Sequence, residues 1–391
     1  MSELLLRRLE LRNLLSFGPV GSAVELGPLN VLIGPNGSGK SNLVEAISLL
    51  QAAPRDLAAA IREGGGVHDW LWKGGSGQAV ATIDTVVGYP NGRGPLHYRL
   101  SFSEIAQRTE VTDERLEDEQ ARPGEPKPFF YFGYEGGRPM LSVTGADHRQ
   151  LQREDVDLQQ SILSQRKDPD QYPEITWLGR QLEAIRIYRN WSFGRFTPPR
   201  APQPADLPNV HLDEEGRNLG LVLNRLRRSG EVKKRLVEEL RDLYEEINDV
   251  DVSVEGGTVQ VFIQEHRWTI PATRLSDGTL RWLILLTILL HPEPPPLVCI
   301  EEPELGLHPD LVTRLAVLLL DAAQRTQLVV TTHSDVLVDA LSEAPEAIVV
   351  CEKSGGSTVM RRLEPDALKS WLEKYTVGQL WRRGDIGGNR W

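Results

Sequence analysis

Residues Gly34-Pro35-Asn36-Gly37-Ser38-Gly39-Lys40-Ser41 stand between an apolar pentapeptide, LNVLI at 29–33, and a stretch that repeats Leu43, Ala46, Ile47 and Leu50 at i, i+3, i+4 and i+7. The octapeptide fits G-x-x-x-x-G-K-[ST] at every fixed position, and its flanks predict strand, glycine loop, helix. That order limits the fold more than any other feature of the chain. Glycines let successive backbone N–H groups curl round an anion at a helix N-terminus, where the dipole is positive. Lys40 then reaches β and γ phosphates, and Ser41 offers a hydroxyl to Mg²⁺. The candidate nucleotide contacts are Gly34, Pro35, Asn36, Gly37, Ser38, Gly39, Lys40, Ser41 and Asn42, with Mg²⁺ as the implied metal.

A chain of 391 residues has room for two or three folding units, or for one large α/β core with an insertion. Its longest apolar run, Trp282 to Leu290, is nine residues, half a bilayer span, so a core helix is expected and no membrane association. The first ten residues, MSELLLRRLE, lack an apolar signal core, and two cysteines, Cys299 and Cys351, are too few for a disulfide framework. A reducing, cytoplasmic setting is expected. The balance of 44 basic and 55 acidic residues, net −11, disfavours coating nucleic acid by bulk attraction but permits a local basic groove.

Alternating runs separated by Gly, Pro and Asn predict an antiparallel sheet of hairpins from Gln78 to Val143, with an exposed turn within the acidic stretch 110–126. Residues 150–190 read as mainly helical, and the five prolines of 196–208 as an extended connector. Helical periodicity returns over 213–248, followed by a hairpin around Gly256-Gly257. From 277 onward helices and apolar strands alternate (strands at 297–301, 327–331 and 347–351), the pattern of a parallel sheet with crossover helices.

Three further motifs fall in that last block. LVCIE at 297–301 predicts a buried strand that delivers Glu301 to its tip as a Mg²⁺ ligand, with Glu302 next to it to polarise an attacking water. Thr331-Thr332-His333-Ser334 ends the neighbouring strand and puts His333 within reach of a γ-phosphate or that water. Leu275-Ser276-Asp277-Gly278-Thr279 has the residue types of an ordinary helix cap, yet Ser276, Gly278 and the amides beside them also suit a second phosphate clamp.

The order of these motifs resembles that of ABC-type ATPases, and within them the RecF, SMC and OLD-like group. Asn13-Leu14-Leu15-Ser16-Phe17 resembles that group's N-F-x-S-F turn, GPNGSGKS its Walker A, LSDGT its signature, CIEEPELGLHP its Walker B and D-loop, and TTHS its switch histidine. Asp277 replaces a glycine of the LSGGQ pattern, and Glu301 the usual Walker B aspartate. Asp213 to Leu226 and Tyr375 to Trp391 further resemble stand-alone ATPases that lack a coiled-coil arm or Toprim domain. The resemblance implies an α/β P-loop NTPase of ABC type: a mostly parallel sheet flanked by helices, an antiparallel β subdomain and a helical insertion. The implied divisions are 1–150 (Walker A and β subdomain), 151–270 (helical insertion, connector and hairpin) and 271–391 (signature, Walker B, D-loop, switch histidine and tail).

The same resemblance implies a head-to-tail homodimer in which Ser276 and Gly278 of one subunit cap the ATP held by Gly34 to Ser41 of the other. Glu302 and His333 are then the catalytic pair, and Ser41 and Glu301 the metal ligands. The expected function is an ATP-hydrolysing switch for DNA or for a separate nuclease or effector chain, in DNA repair or anti-phage defence. A slow-turnover scaffold is the alternative, which Glu302 disfavours because a scaffold needs no general base. The basic run Asn224 to Arg235 reads either as the lining of a DNA groove or as a solvated helix face, and Gln78 is a candidate Q-loop residue.

Overall fold

The computed structural model describes residues 4–75, 79–90, 94–135, 138–143, 149–150, 155–189, 191 and 194–388. Leu6, Leu9 and Leu11 turn inward from β1 (Leu6–Arg12), which pairs antiparallel with β2 (Ser22–Glu25). The fully buried β3 (Leu29–Ile33) leads into α1 (Lys40–Ala52), followed by α2 (Leu57–Glu63) and α3 (Val67–Trp70). The expected hairpins are β4 (Val80–Val87), β5 (Leu96–Ile105), β6 (Arg108–Asp118), β7 (Phe130–Glu135) and β8 (Arg138–Leu141), and β9 (Arg149–Gln150) extends them beyond the expected stretch, which ends at Val143. With β1 and β2 they make an eight-stranded sheet ordered β2-β1-β4-β5-β6-β7-β8-β9. The exposed turn of the acidic stretch falls after Asp118; before it, Glu114, Leu116 and Asp118 alternate inward as strand.

On the polar face of this sheet, His97 Nε2 lies 2.9 Å from Asp84 and its Nδ1 lies 3.0 Å from Glu117, one acceptor on each neighbouring strand. Hydrogen bonds to Asp84 and then Glu117 push the imidazole up to about 9 from 6.5, against the effect of burial. The folded state therefore favours imidazolium, whose stabilisation is full below about 6.5 and is lost as pH rises through about 9. His97→Gln should melt below wild type at neutral pH, and the gap should narrow once pH passes 9. Thermal denaturation that gives an equal gap at both pH values would leave His97 a packing role only.

Beyond the antiparallel sheet come α4 (Ile162–Gln165), α5 (Pro173–Glu183) and a strand, β10 (Arg186–Tyr188), within the stretch expected to be mainly helical. Three residues are too few to display a period of two. The proline-rich connector is extended apart from a 3₁₀ turn at Pro198–Arg200 and the short β11 (Gln203–Pro204). The helical stretch that follows divides into α6 (Leu219–Leu226) and α7 (Gly230–Arg241), because Ser229 Oγ caps α7 through Val232 N. The predicted hairpin is β12 (Ile247–Glu255) and β13 (Thr258–Glu265), to which β14 (Trp268–Pro271) adds a third strand.

The final block is α8 (Asp277–Leu289), β15 (Leu297–Glu301), α9 (Pro309–Ala322), β16 (Gln327–Thr331), α10 (Asp335–Ala340) and β17 (Ile348–Ser354). An antiparallel β18 (Ser357–Arg362), α11 (Pro365–Leu372) and α12 (Val377–Arg383) follow. The central sheet runs β10-β15-β16-β3-β17-β18, parallel except for β18. Val31, Ile33, Val298, Ile300, Val330 and Ile348 enter one core, with residues of α8, α9 and α10. Leu32, Cys299, Val329 and Val349 enter the other, with α1 and the antiparallel sheet. Burial on both faces is why these strands read as unbroken apolar runs. Gln327 joins the two sheets: its amide accepts from Leu6 N at 2.9 Å and donates to Leu6 O at 2.6 Å. Cys299 and Cys351 are buried free thiols, and among the described residues no helix is long and apolar enough to cross a membrane.

Candidate functional site

The loop 34–39 connects β3 to α1, and two of its glycines meet hard constraints. Gly34 and Gly39 have φ of 150° and 104°; a Cβ would lie 2.2 Å from Cys351 O at the first and 2.3 Å from Thr358 Oγ1 at the second. The loop is braced from outside. Ser16 Oγ, in the N-x-x-S-F turn, accepts from Asn42 Nδ2 at 2.7 Å and lies 2.7 Å from Thr358 Oγ1, itself 2.9 Å from Ser38 O. Asn36 and Gly37 stay exposed at the tip.

These residues fit a nucleotide triphosphate. The first turn of α1 has neither a side-chain cap nor an acidic residue, which leaves its amides for an anion. Ser38 Oγ is buried without a hydrogen-bond partner among the described residues. Lys40 is buried and folds back so that Nζ donates to Gly34 O at 2.7 Å and Pro35 O at 3.1 Å. Burial holds its pKa below the usual lysine value, although Cys351, Glu302, Glu301 and Glu304 pull the other way. Ser41 Oγ donates to Glu301 Oε2 at 3.0 Å, which sets a hydroxyl beside a carboxylate, the hard oxygen donors that Mg²⁺ takes.

The pairing of β15 with β16 and of β16 with β3 aligns Glu301 with Thr331 and Thr331 with Leu32, so the strand ends meet at one edge. A ligand crevice outside the carboxyl ends of strands is the general rule for such sheets. Burial raises the Glu301 pKa in spite of the Ser41 bond. Glu302 takes the left-handed conformation at φ 46°, its N–H bonded to Thr331 O at 2.9 Å, and its Oε1 lies 3.7 Å from His333 Nε2. Glu304, to which sequence reasoning gave no role, holds the histidine end of β16: Oε1 accepts from Thr332 Oγ1 at 2.7 Å and His333 N at 3.0 Å.

The hydrogen bonds of Ser276 instead stay within the first turn of α8, where Oγ accepts from Thr279 N at 3.0 Å. Gly278 meets the D-loop, since a Cβ there would lie 3.0 Å from Gly306 O. Asp277 is clamped by Arg200, an ion pair that with the Gly194 amide at 3.2 Å holds its carboxyl below the usual range. Arg200 also donates to the carbonyls of Ala272 and Leu275. An arginine inside a proline run gives no sequence signal for this; the nearest cue is that it is the single charge in FTPPRAPQP.

Along the basic run, Arg227, Lys233 and Arg235 pair with Asp251, Asp249 and Asp321 at 2.9, 2.7 and 2.8 Å. Those cations are engaged with aspartates. In the tail Trp381 packs in the core and donates to Gly388 O at 2.8 Å, which brings Gly388 against Gly34, while Trp371 is half exposed. Gln78 and Trp391 lie outside the described residues.

The family described as "AAA domain, putative AbiEii toxin, Type IV TA system" matches residues 29–339. Among solved structures the chain is similar to an Smc head bound to the C-terminal winged-helix domain of ScpA, at 16% identity and TM-score 0.60 over 93% of this chain and 99% of that one. It is also similar to the Pyrococcus furiosus Smc head with an extended coiled coil bound to the C-terminal domain of ScpA, at 13% identity and TM-score 0.58 over 95% and 99%. No curated protein sequence matches. Strand order and these likenesses agree: the chain belongs to this AAA-domain family and has the fold of an Smc head.

Proposed function

We propose that this chain hydrolyses ATP with Mg²⁺, that two copies close head to tail over the nucleotide, and that closure switches a partner effector. The observation that carries the reading is the convergence of Lys40, the Ser41–Glu301 pair and the Glu302–His333 pair at one edge of the parallel sheet. The amides of α1, Ser38 Oγ and Lys40 bind the phosphates, and Ser41 and Glu301 hold the metal. When bound, the metal neutralises charge that develops on the transferred phosphoryl group. Glu302 accepts a proton from the attacking water, and His333 orients that water or the γ-phosphate. A scaffold would use neither residue. The loop of exposed Ser276 and half-buried Gly278, held in shape by Arg200, is preorganised to receive the other copy's nucleotide. The family description, which names a toxin and a toxin–antitoxin system, supports defence over repair. Arg227, Lys233 and Arg235 pair with aspartates, which reduces the positive charge that the basic run offers to DNA.

Complementation tests the composite site. Ser276→Arg clashes with the γ-phosphate held by the other subunit but leaves its own loop intact, while Lys40→Ala does the reverse. Neither variant alone should turn over ATP. A mixed dimer has one site damaged twice and one intact, so about a quarter to a half of wild-type ATPase activity should return on mixing. A nucleotide-bound dimer in which Ser276 lies far from both γ-phosphates would refute the arrangement.

A further inference from the structure

We propose that Arg281 is a positioning residue for Glu302, with Trp191 as the platform that fixes its guanidinium. Where turnover is concerned, this rests on the hydrolytic reading above. Arg281 lies on α8, is 2% exposed, and burial pushes it down to about 10 against the opposing pull of Glu304 and Glu302. A guanidinium is costly to bury unless its surroundings use it. Here its Cζ sits 4.2 Å from the centroid of the Trp191 ring, and one of its amino groups donates to the main-chain oxygen of Glu302. Trp191 Nε1 donates to the preceding carbonyl, that of Glu301, at 2.6 Å. The stacked pair thus grips two successive carbonyls at the point where β15 ends in carboxylates.

Glu302 needs such a grip. It is left-handed without being glycine, and it precedes Pro303, whose ring disfavours helical conformations at the position before it. A backbone in that state persists only when its surroundings over-determine it. Its N–H is held by Thr331 O at 2.9 Å, and its carbonyl takes Leu305 N at 3.1 Å as well as Arg281. Without the arginine, the peptide can rotate toward an extended conformation and carry the carboxylate away from His333. Lysine is no equivalent, because it cannot stack flat on indole while it points a donor along the ring plane. The helix that supplies Arg281 is capped by Ser276, so one rigid element carries the signature loop at its start and the guanidinium that holds the Glu302 carbonyl.

The test compares Arg281→Leu, Arg281→Lys and Trp191→Phe with wild type by hydrogen exchange of the nucleotide-free protein, steady-state ATPase kinetics and nucleotide affinity. In Arg281→Leu the amides of Glu302, Glu304 and Leu305 should exchange at least about tenfold faster, with β16 and the rest of α8 unchanged. Its kcat should fall about thirtyfold or more while ATP affinity stays within about twofold. Arg281→Lys should recover part of kcat, and Trp191→Phe should move exchange and kcat in the same direction by less. If Arg281→Leu fails to fold, Trp191→Phe carries the same readout. Unchanged exchange at 302–305, or a rise spread evenly over α8 and β15, would overturn the proposal. A local rise in a protein whose wild type shows no turnover would support positioning and refute hydrolysis.

Discussion

Lys40→Ala should weaken ATP binding by at least about a hundredfold while leaving the melting temperature within a few degrees of wild type. The two halves of this expectation share one cause. Lys40 is 6% exposed, and among the described residues its ammonium donates to the carbonyls of Gly34 and Pro35. Burial lowers its pKa, which means that the fold disfavours the charged form. The ammonium therefore does little for the fold itself, and its removal relieves a desolvated charge. For a triphosphate the balance reverses. Each charge-assisted bond to a phosphate oxygen contributes about 1.5–3 kcal/mol, so two of them account for roughly the hundredfold loss or more. Calorimetric titration with ATP is the measurement, and an affinity within about threefold of wild type would remove Lys40 from the phosphate site. A large drop in melting temperature would instead make it a structural residue.

Sequence made the P-loop legible because that motif encodes backbone geometry directly. Gly34 and Gly39 stand where a Cβ cannot fit, and Lys40 and Ser41 follow on the first turn of α1. The alternation of helix and strand from 277 to 351 was equally legible, since buried parallel strands must be apolar on both faces. Elements whose stability comes from distant partners left no such trace. β10 is three residues long and exists because β15 pairs with it; β18 reads as polar yet supplies Thr358, which braces the loop. The site divides the same way. Glu301, Glu302 and His333 were legible from their places at strand ends. Arg200, Arg281, Trp191 and Glu304 act through carbonyls, amides and one ring, and no local spacing distinguishes them from other buried or capping residues. What sequence pattern points to here is a set of groups that the fold gathers at one edge of the parallel sheet, and what it misses is the set that fixes their positions.

Glu302→Gln should hold ATP with near wild-type affinity yet lose hydrolysis by about two to four orders of magnitude, the usual contribution of a general base. The substitution is nearly isosteric and falls on a residue whose position is set by main-chain contacts: N–H to Thr331, carbonyl to Arg281 and Leu305. None of these involves the side chain, so the left-handed backbone and the approach to His333 should survive. What the amide lacks is the capacity to take a proton from water. If closure of two copies requires bound ATP and reopening requires its hydrolysis, blocking the chemical step traps the closed state. Size-exclusion chromatography with light scattering should then show a dimer for Glu302→Gln with ATP and Mg²⁺ and a monomer without, whereas wild type with ATP reverts as it turns over. The two readouts separate the two claims. Unchanged turnover would remove Glu302 from catalysis whatever the oligomer, and lost turnover with no ATP-dependent dimer would leave the hydrolytic site standing while sinking the head-to-tail closure.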